Sequence, residues 1–99
     1  MSLPVVLRPE ASRDAEEARD FLETRGAGLG QAFLDRLKEA LGRIGAMPEL
    51  YGTVWGNVRA TPLRRFAYVV YYRVHIDRVE VLAIMHGGRD ASAWRSRAP

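Results

Sequence analysis

The chain contains no cysteine, which excludes disulfides, thiolate catalysis and cysteine-based zinc or iron–sulfur sites. Its only histidines are His75 and His86, a thin basis for a metal centre, so neither a metal nor another cofactor is expected. No run of about 18 apolar residues is available to span a bilayer. Met1-Ser-Leu-Pro4 also lacks the basic and apolar regions of a secretory leader, so the expectation is a cytoplasmic protein without a membrane partner. Lysine is almost missing as well: Lys38 stands alone, and the second half of the chain has arginine as its only fixed cation. Arginine stays protonated and serves poorly as a proton acceptor.

What is present is the composition of a folded domain. In 99 residues, 47% are hydrophobic and 27% charged, far from the regime of disorder and sufficient for one core; residues 1–99 are read as one domain. The formal charge of +3 is unevenly placed. Residues 1–50 hold 7 basic and 9 acidic side chains, or −2, whereas residues 51–99 hold 8 arginines and 3 acids, or +5. A localised basic field attracts nucleic acid, anionic protein segments or anionic membranes, or is simply a solvated arginine-rich face.

Leu3 to Leu7 is a short apolar run ended by Pro9, which predicts a strand followed by a helix with proline in its first turn. That helix, from about Glu10 to Arg25, carries Ala11, Ala15, Ala18 and Leu22 at helical spacing, gathers acids at its start and stops at Gly26. A second helix, from about Gly28 to Met47, carries Leu29, Phe33, Leu37, Leu41 and Ile44 on one stripe and ends at Pro48. Glu49 to Asn57 shows no period and reads as a loop. Val58–Leu63, Phe66–Val74 and Arg78–Met85 read as strands, with Thr61-Pro62 and His75–Arg78 as turns. The last strand is apolar on both faces, which predicts a central strand covered by helices on one side and by a ligand segment on the other. The fold expected is α+β, in the order β-α-α-β-β-β, with a helical hairpin packed on a small, mostly antiparallel sheet.

Several fragments in this order resemble the RelE/ParE superfamily of bacterial toxins from type II toxin–antitoxin systems. They are Pro9-Glu-Ala with Asp14, Ala32-Phe-Leu34, Pro48 followed by Tyr51-Gly52, and Val58-Arg59. To these are added Phe66-Ala-Tyr68-Val-Val-Tyr71-Tyr72 and the ending His86-Gly-Gly-Arg89-Asp90 with Trp94 and Arg97. The resemblance covers nearly the whole chain, and the His-x-x-Arg-Asp ending looks more like the ParE branch. It implies a role in plasmid stabilisation or a similar module, inhibition of DNA gyrase by binding, and a cognate antitoxin whose acidic C-terminal segment wraps the toxin in a hetero-oligomer. The RelE branch would imply instead a ribosome-dependent endoribonuclease acting on mRNA. A degenerate, non-toxic binding module is a third reading.

RNA cleavage without a metal needs a base, an acid and cations for the phosphorane. Only His86 has an ordinary pKa suited to proton transfer near neutrality in a plausible place, so the RelE-like reading assigns His86 to proton transfer and Arg89 and Arg65 to the phosphate. The alternative for His86 is a strand-end histidine bonded to its own turn. His75, in the predicted hairpin turn, is expected to be solvent-exposed. The binding reading places Arg59, Arg64, Arg65, Arg73, Arg89 and Trp94 at the target or antitoxin contact, although Arg89 and Asp90 could pair locally and Trp94 could cap the core. Tyr68 and Tyr72 should share one face of their strand and Tyr71 the other, with Arg64 and Arg65 straddling the sheet likewise. An acidic, partly disordered peptide is expected in a groove formed by the helical hairpin and the sheet edge.

Overall fold

A computed structural model describes residues 2–98. Helix α1 spans Pro9–Arg25, with Arg8 extended before it and proline at its first position. Its buried residues are Ala11, Ala15 and Ala18, small side chains that let the helix lie close on the sheet. Helix α2 spans Leu29–Ala46 and buries Phe33, Leu37, Ala40 and Ile44. The link between the helices turns at Gly28, whose φ of 86° suits glycine. The Glu23 carboxylate accepts the N–H groups of Gly28 and Gly30 at 3.0 and 2.9 Å, capping α2 from the end of α1. Those two N–H groups hold its pKa below the ordinary carboxylate value.

The sheet contains β1 (Val5–Leu7), β2 (Thr53–Trp55), β3 (Val58–Pro62), β4 (Tyr68–Val74) and β5 (Val79–His86), in the order β1-β5-β4-β3-β2. β1 runs parallel to β5 and every other neighbour is antiparallel. The α+β architecture and the central position of the last strand agree with the expectation from sequence, but three details differ. Part of the expected loop forms the edge strand β2. Thr61 and Pro62 continue β3, opposite Val70 and Val69, so the turn comes later and contains Arg64 and Arg65, which therefore do not straddle the sheet. The second cover of β5 is the chain's own C-terminal segment, including helix α3 (Ser92–Arg95).

Tyr68 and Tyr72 lie on the helical face, against Phe33 and its neighbours, and Tyr71 lies on the other. Val79, Val81 and Ile84 of β5 join the helical core, whereas Leu82, Ala83 and Met85 pack with Val58, Tyr71 and Trp94. Two successive residues on one face mark a β-bulge: Tyr71 opposes Ala83 and Tyr72 opposes Val81, leaving Leu82 extra. The bulge shifts the alternation by one, so Glu80 pairs with Arg73 away from the helices while His86, six residues on, reaches the helical side beside Tyr68. The site at the end of β5 exists because of that phase shift.

β1 is too short to cover the edge of β5 beyond Val81, and two side chains take its place. The Ile84 N–H donates to Asp14 Oδ2 at 3.0 Å, and Arg97 Nη1 donates to the Leu82 carbonyl at 3.1 Å. Arg97 also grips Asp14 with both terminal nitrogens, at 2.6 and 3.3 Å. The C-terminal segment is thereby tied to α1 across the strand edge. On the sheet face it is fixed by Trp94, 5% exposed, whose ring stacks on Tyr71 at 4.4 Å and 13°. Trp55 meets Trp94 edge-on, and the Arg95 guanidinium lies 5.4 Å from both indole rings.

Candidate functional site: two ends of one sheet

β4 and β5 carry two different surfaces to their opposite ends. At the Tyr68 and His86 end, two turns are tied together by the Gly87 N–H bonding the Ala67 carbonyl at 2.8 Å. One holds Arg64 and Arg65; the other holds His86-Gly-Gly-Arg89. A cavity of about 260 Å³ opens beside them, lined by Asp14, Glu17, Ala18, Phe21, Tyr68 and Arg89 among others. Arg64, Arg65 and Arg89 are exposed, and among the described residues none of them has a carboxylate within 4.0 Å. Asp90 does not pair with Arg89. Its carboxylate accepts the Ser92 N–H at 2.8 Å, at the start of α3, and that backbone bond, aided by the Ser92 side chain, lowers its pKa.

His86 is exposed, with its ring edge-on to Tyr68 at 5.7 Å. Its Nδ1 accepts the Gly88 N–H at 3.0 Å, so the neutral ring carries its proton on Nε2. The nitrogen able to take up a proton is thus turned into its own loop. Protonating it would break the bond that shapes the Gly87-Gly88 turn.

The other residues singled out from sequence lie elsewhere. Arg59 Nη1 donates to the Tyr51 carbonyl at 2.6 Å and so holds the segment after α2. Arg73 donates to Glu80 at 2.8 Å. Trp94 is in the core described above. His75 is half-buried and bonded to Glu80 Oε1 at 2.8 Å rather than solvent-exposed, a correction the turn sequence could not reveal because the partner stands on the next strand. Burial works to raise the Glu80 pKa, but hydrogen bonds from His75 and Arg73, with the charges of both, outweigh it and hold the carboxyl below its ordinary value. The structure therefore groups Arg64, Arg65, His86 and Arg89 and leaves Arg59, Arg73 and Trp94 apart.

At the Val74 end three large apolar groups are exposed, beside the exposed carboxylates of Glu49 and Asp77. A cavity of about 600 Å³ is lined by Leu3, Met47, Pro48, Leu50, Val74 and Ile76 among others. Met47 is 53%, Leu50 54% and Ile76 100% exposed. Sequence reading missed these residues as a group. The available signal was Ile76, a large apolar residue inside a polar hairpin turn, near a second unexplained pair in Met47 and Leu50. Among the described residues, no group of three or more histidine, aspartate or glutamate side chains could hold a metal ion, and no helix is long and apolar enough to cross a membrane.

Comparison with solved structures finds a chain described as "Chromosomal ParDE TA system from P. aeruginosa", with a TM-score of 0.63 at 14% identity. The match covers 86% of this chain and 96% of that one, a likeness of fold. No curated protein matches by sequence. Residues 5–91 match the family described as ParE toxin of type II toxin-antitoxin system, parDE. With its helical hairpin on a mixed sheet and a family match over most of its length, the chain belongs to the ParE toxin family.

Proposed function

We propose that residues 1–99 act as one cytoplasmic toxin domain that inhibits DNA gyrase by binding it and is neutralised by a cognate antitoxin. Membership of the ParE toxin family supports the toxin assignment, and the likeness to a structure of a P. aeruginosa ParDE system supports the antitoxin. The observation that carries binding over catalysis is the Gly88 N–H bond to His86 Nδ1. A general base needs a free lone pair aimed at the substrate, and here the lone pair faces the protein's own turn. The absence of lysine from the second half of the chain points the same way.

The antitoxin segment is assigned to the apolar groove at the Val74 end. A partly disordered peptide must bury apolar surface to offset the entropy of ordering, and Met47, Leu50 and Ile76 offer that surface in one place. The toxin and antitoxin would then form a hetero-oligomer.

A RelE-like ribonuclease is the second reading, favoured by the gathering of Arg65, His86 and Arg89 at one sheet end. A supercoiling assay with purified gyrase separates the readings: the proposal expects loss of supercoiling that is reversed by the antitoxin. Undiminished supercoiling at saturating protein, together with cleavage of ribosome-bound mRNA, would establish the second reading instead. If neither occurs and induced expression leaves growth unchanged, the chain is a non-toxic binding module.

A further inference from the structure

We infer that the arginine end of the sheet is a contact surface for the phosphate backbone of double-stranded DNA. The inference goes beyond the gyrase reading and does not rest on it, because the contact is one the chain would make with bare duplex. It starts from how the basic residues of the second half are used. Of its 8 arginines, Arg59 is bonded to a backbone carbonyl, Arg73, Arg78 and Arg97 are paired with carboxylates, and Arg95 lies over two tryptophan rings. The three left over, Arg64, Arg65 and Arg89, lie on the two turns joined by the Gly87–Ala67 bond.

Two further features strengthen the grouping. Arg25, at the end of α1, lies 5.7 Å from the centroid of Phe21, which lines the cavity beside Arg89. Arg65 has a φ of 73°, a conformation that glycine or asparagine adopts more easily, so a cation stands where the backbone favours a different residue. Of the acids nearby, Asp14 is paired with Arg97, whereas Asp90, bonded to the neutral Ser92 N–H, and Glu17, which lines the cavity, keep their charge, so the three arginines outnumber the unpaired acids by one.

The kind of polyanion follows from what else the surface has. An acidic peptide would need several apolar groups to bury; among the described residues Phe21 is the one exposed large apolar side chain lining the cavity here, whereas Met47, Leu50 and Ile76 cluster at the Val74 end, roughly 20 Å away along β4 at a strand's rise per residue. Single-stranded nucleic acid is held by bases stacking on aromatic faces. Here Arg25 lies over the Phe21 ring, and the Tyr68 ring packs between Phe33 and His86 at 5.2 and 5.7 Å. What remains is a set of guanidinium groups spread over two exposed turns, which match phosphate oxygens in a fork geometry and read no sequence.

The test is fluorescence anisotropy of a labelled 20-base-pair duplex titrated with the purified full chain over a series of salt concentrations. Each phosphate contacted contributes about 0.9 to the slope of log affinity against log salt, so Arg64, Arg65 and Arg89 predict a slope of about −3. Arg64→Ala/Arg89→Ala should make the slope shallower by about 2 and weaken binding about tenfold or more at low salt. Arg65→Asn, which suits the left-handed turn, should make it shallower by about 1. Arg36→Ala, on α2 and paired with Glu39, should leave it unchanged, and circular dichroism should show each variant folded. The inference is overturned by absence of duplex binding at low salt, or by a wild-type slope in both folded rim variants. It is equally overturned if a polyglutamate peptide or single-stranded RNA binds as tightly as the duplex with the same arginine dependence.

Discussion

At one end of β4, around Val74, the surface is Met47, Leu50 and Ile76; at the other, around Tyr68, it is Arg64, Arg65, Arg89 and His86. The two ends share strands and a core but differ in which side chains have been used up inside the protein. Arg73 could have made the Val74 end basic, yet it is spent on Glu80, which His75 also engages. Of the 8 arginines in the second half, the three with neither a carboxylate nor an aromatic ring as partner among the described residues lie at one end, not spread over a face. A count of charges becomes a statement about binding only after internal pairs are removed from it.

The C-terminal segment, packed on the sheet face away from the helices, is where the largest effects are expected. Trp94→Ala removes the ring stacked on Tyr71 and should cost about 3–5 kcal/mol, the usual range for a buried aromatic; chemical denaturation would measure it, and groove and rim should fail together. Asp14→Ala leaves the Ile84 N–H and the Arg97 guanidinium without their acceptor. Because the pair is partly exposed, a loss of about 2–3 kcal/mol is expected, at the low end for breaking a buried ion pair.

Smaller changes should separate the ends. Glu80→Gln frees Arg73 and His75 and makes the Val74 end more cationic. Glu80 has a lowered folded pKa, so its contribution to stability is complete above its unfolded value, near 4.5, and is lost as pH falls through the folded value. Thermal melts should show wild-type stability falling below about pH 4.5, with a shallower fall in Glu80→Gln. His86→Ala removes an exposed ring and one bond to Gly88, so its cost should stay below about 1 kcal/mol. Gyrase inhibition should survive that change, whereas a ribonuclease would lose its activity.

The helical hairpin was legible in the sequence because its apolar residues recur at helical spacing, from Ala11 to Leu22 and Phe33 to Ile44, and the central strand because Val79 to Met85 is apolar on both faces. β2 was not, since all three of its residues are exposed and it is held by backbone bonds to one neighbour. Pro62 suggested a turn, but the Leu63 N–H bonds Tyr68, so by alternation the Pro62 nitrogen faces away from β4. It lies past the Val58 and Arg59 partners of β2, and no ladder bond is lost there. At the site, residue types could be read but their employment could not. Arg59, Arg73 and Arg89 are the same letter, and only tertiary structure shows that two are bonded internally and one is free.

The most direct test of the division between the ends is calorimetric titration of a peptide from the C-terminal segment of the cognate antitoxin into wild-type chain, Leu50→Asp/Ile76→Asp and Arg64→Ala/Arg89→Ala. The apolar-end variant should bind at least about tenfold more weakly, a change of about 1.4 kcal/mol or more, while the arginine-end variant stays within about twofold of wild type. Loss of peptide affinity in the arginine-end variant, with the apolar-end variant unchanged, would contradict the account.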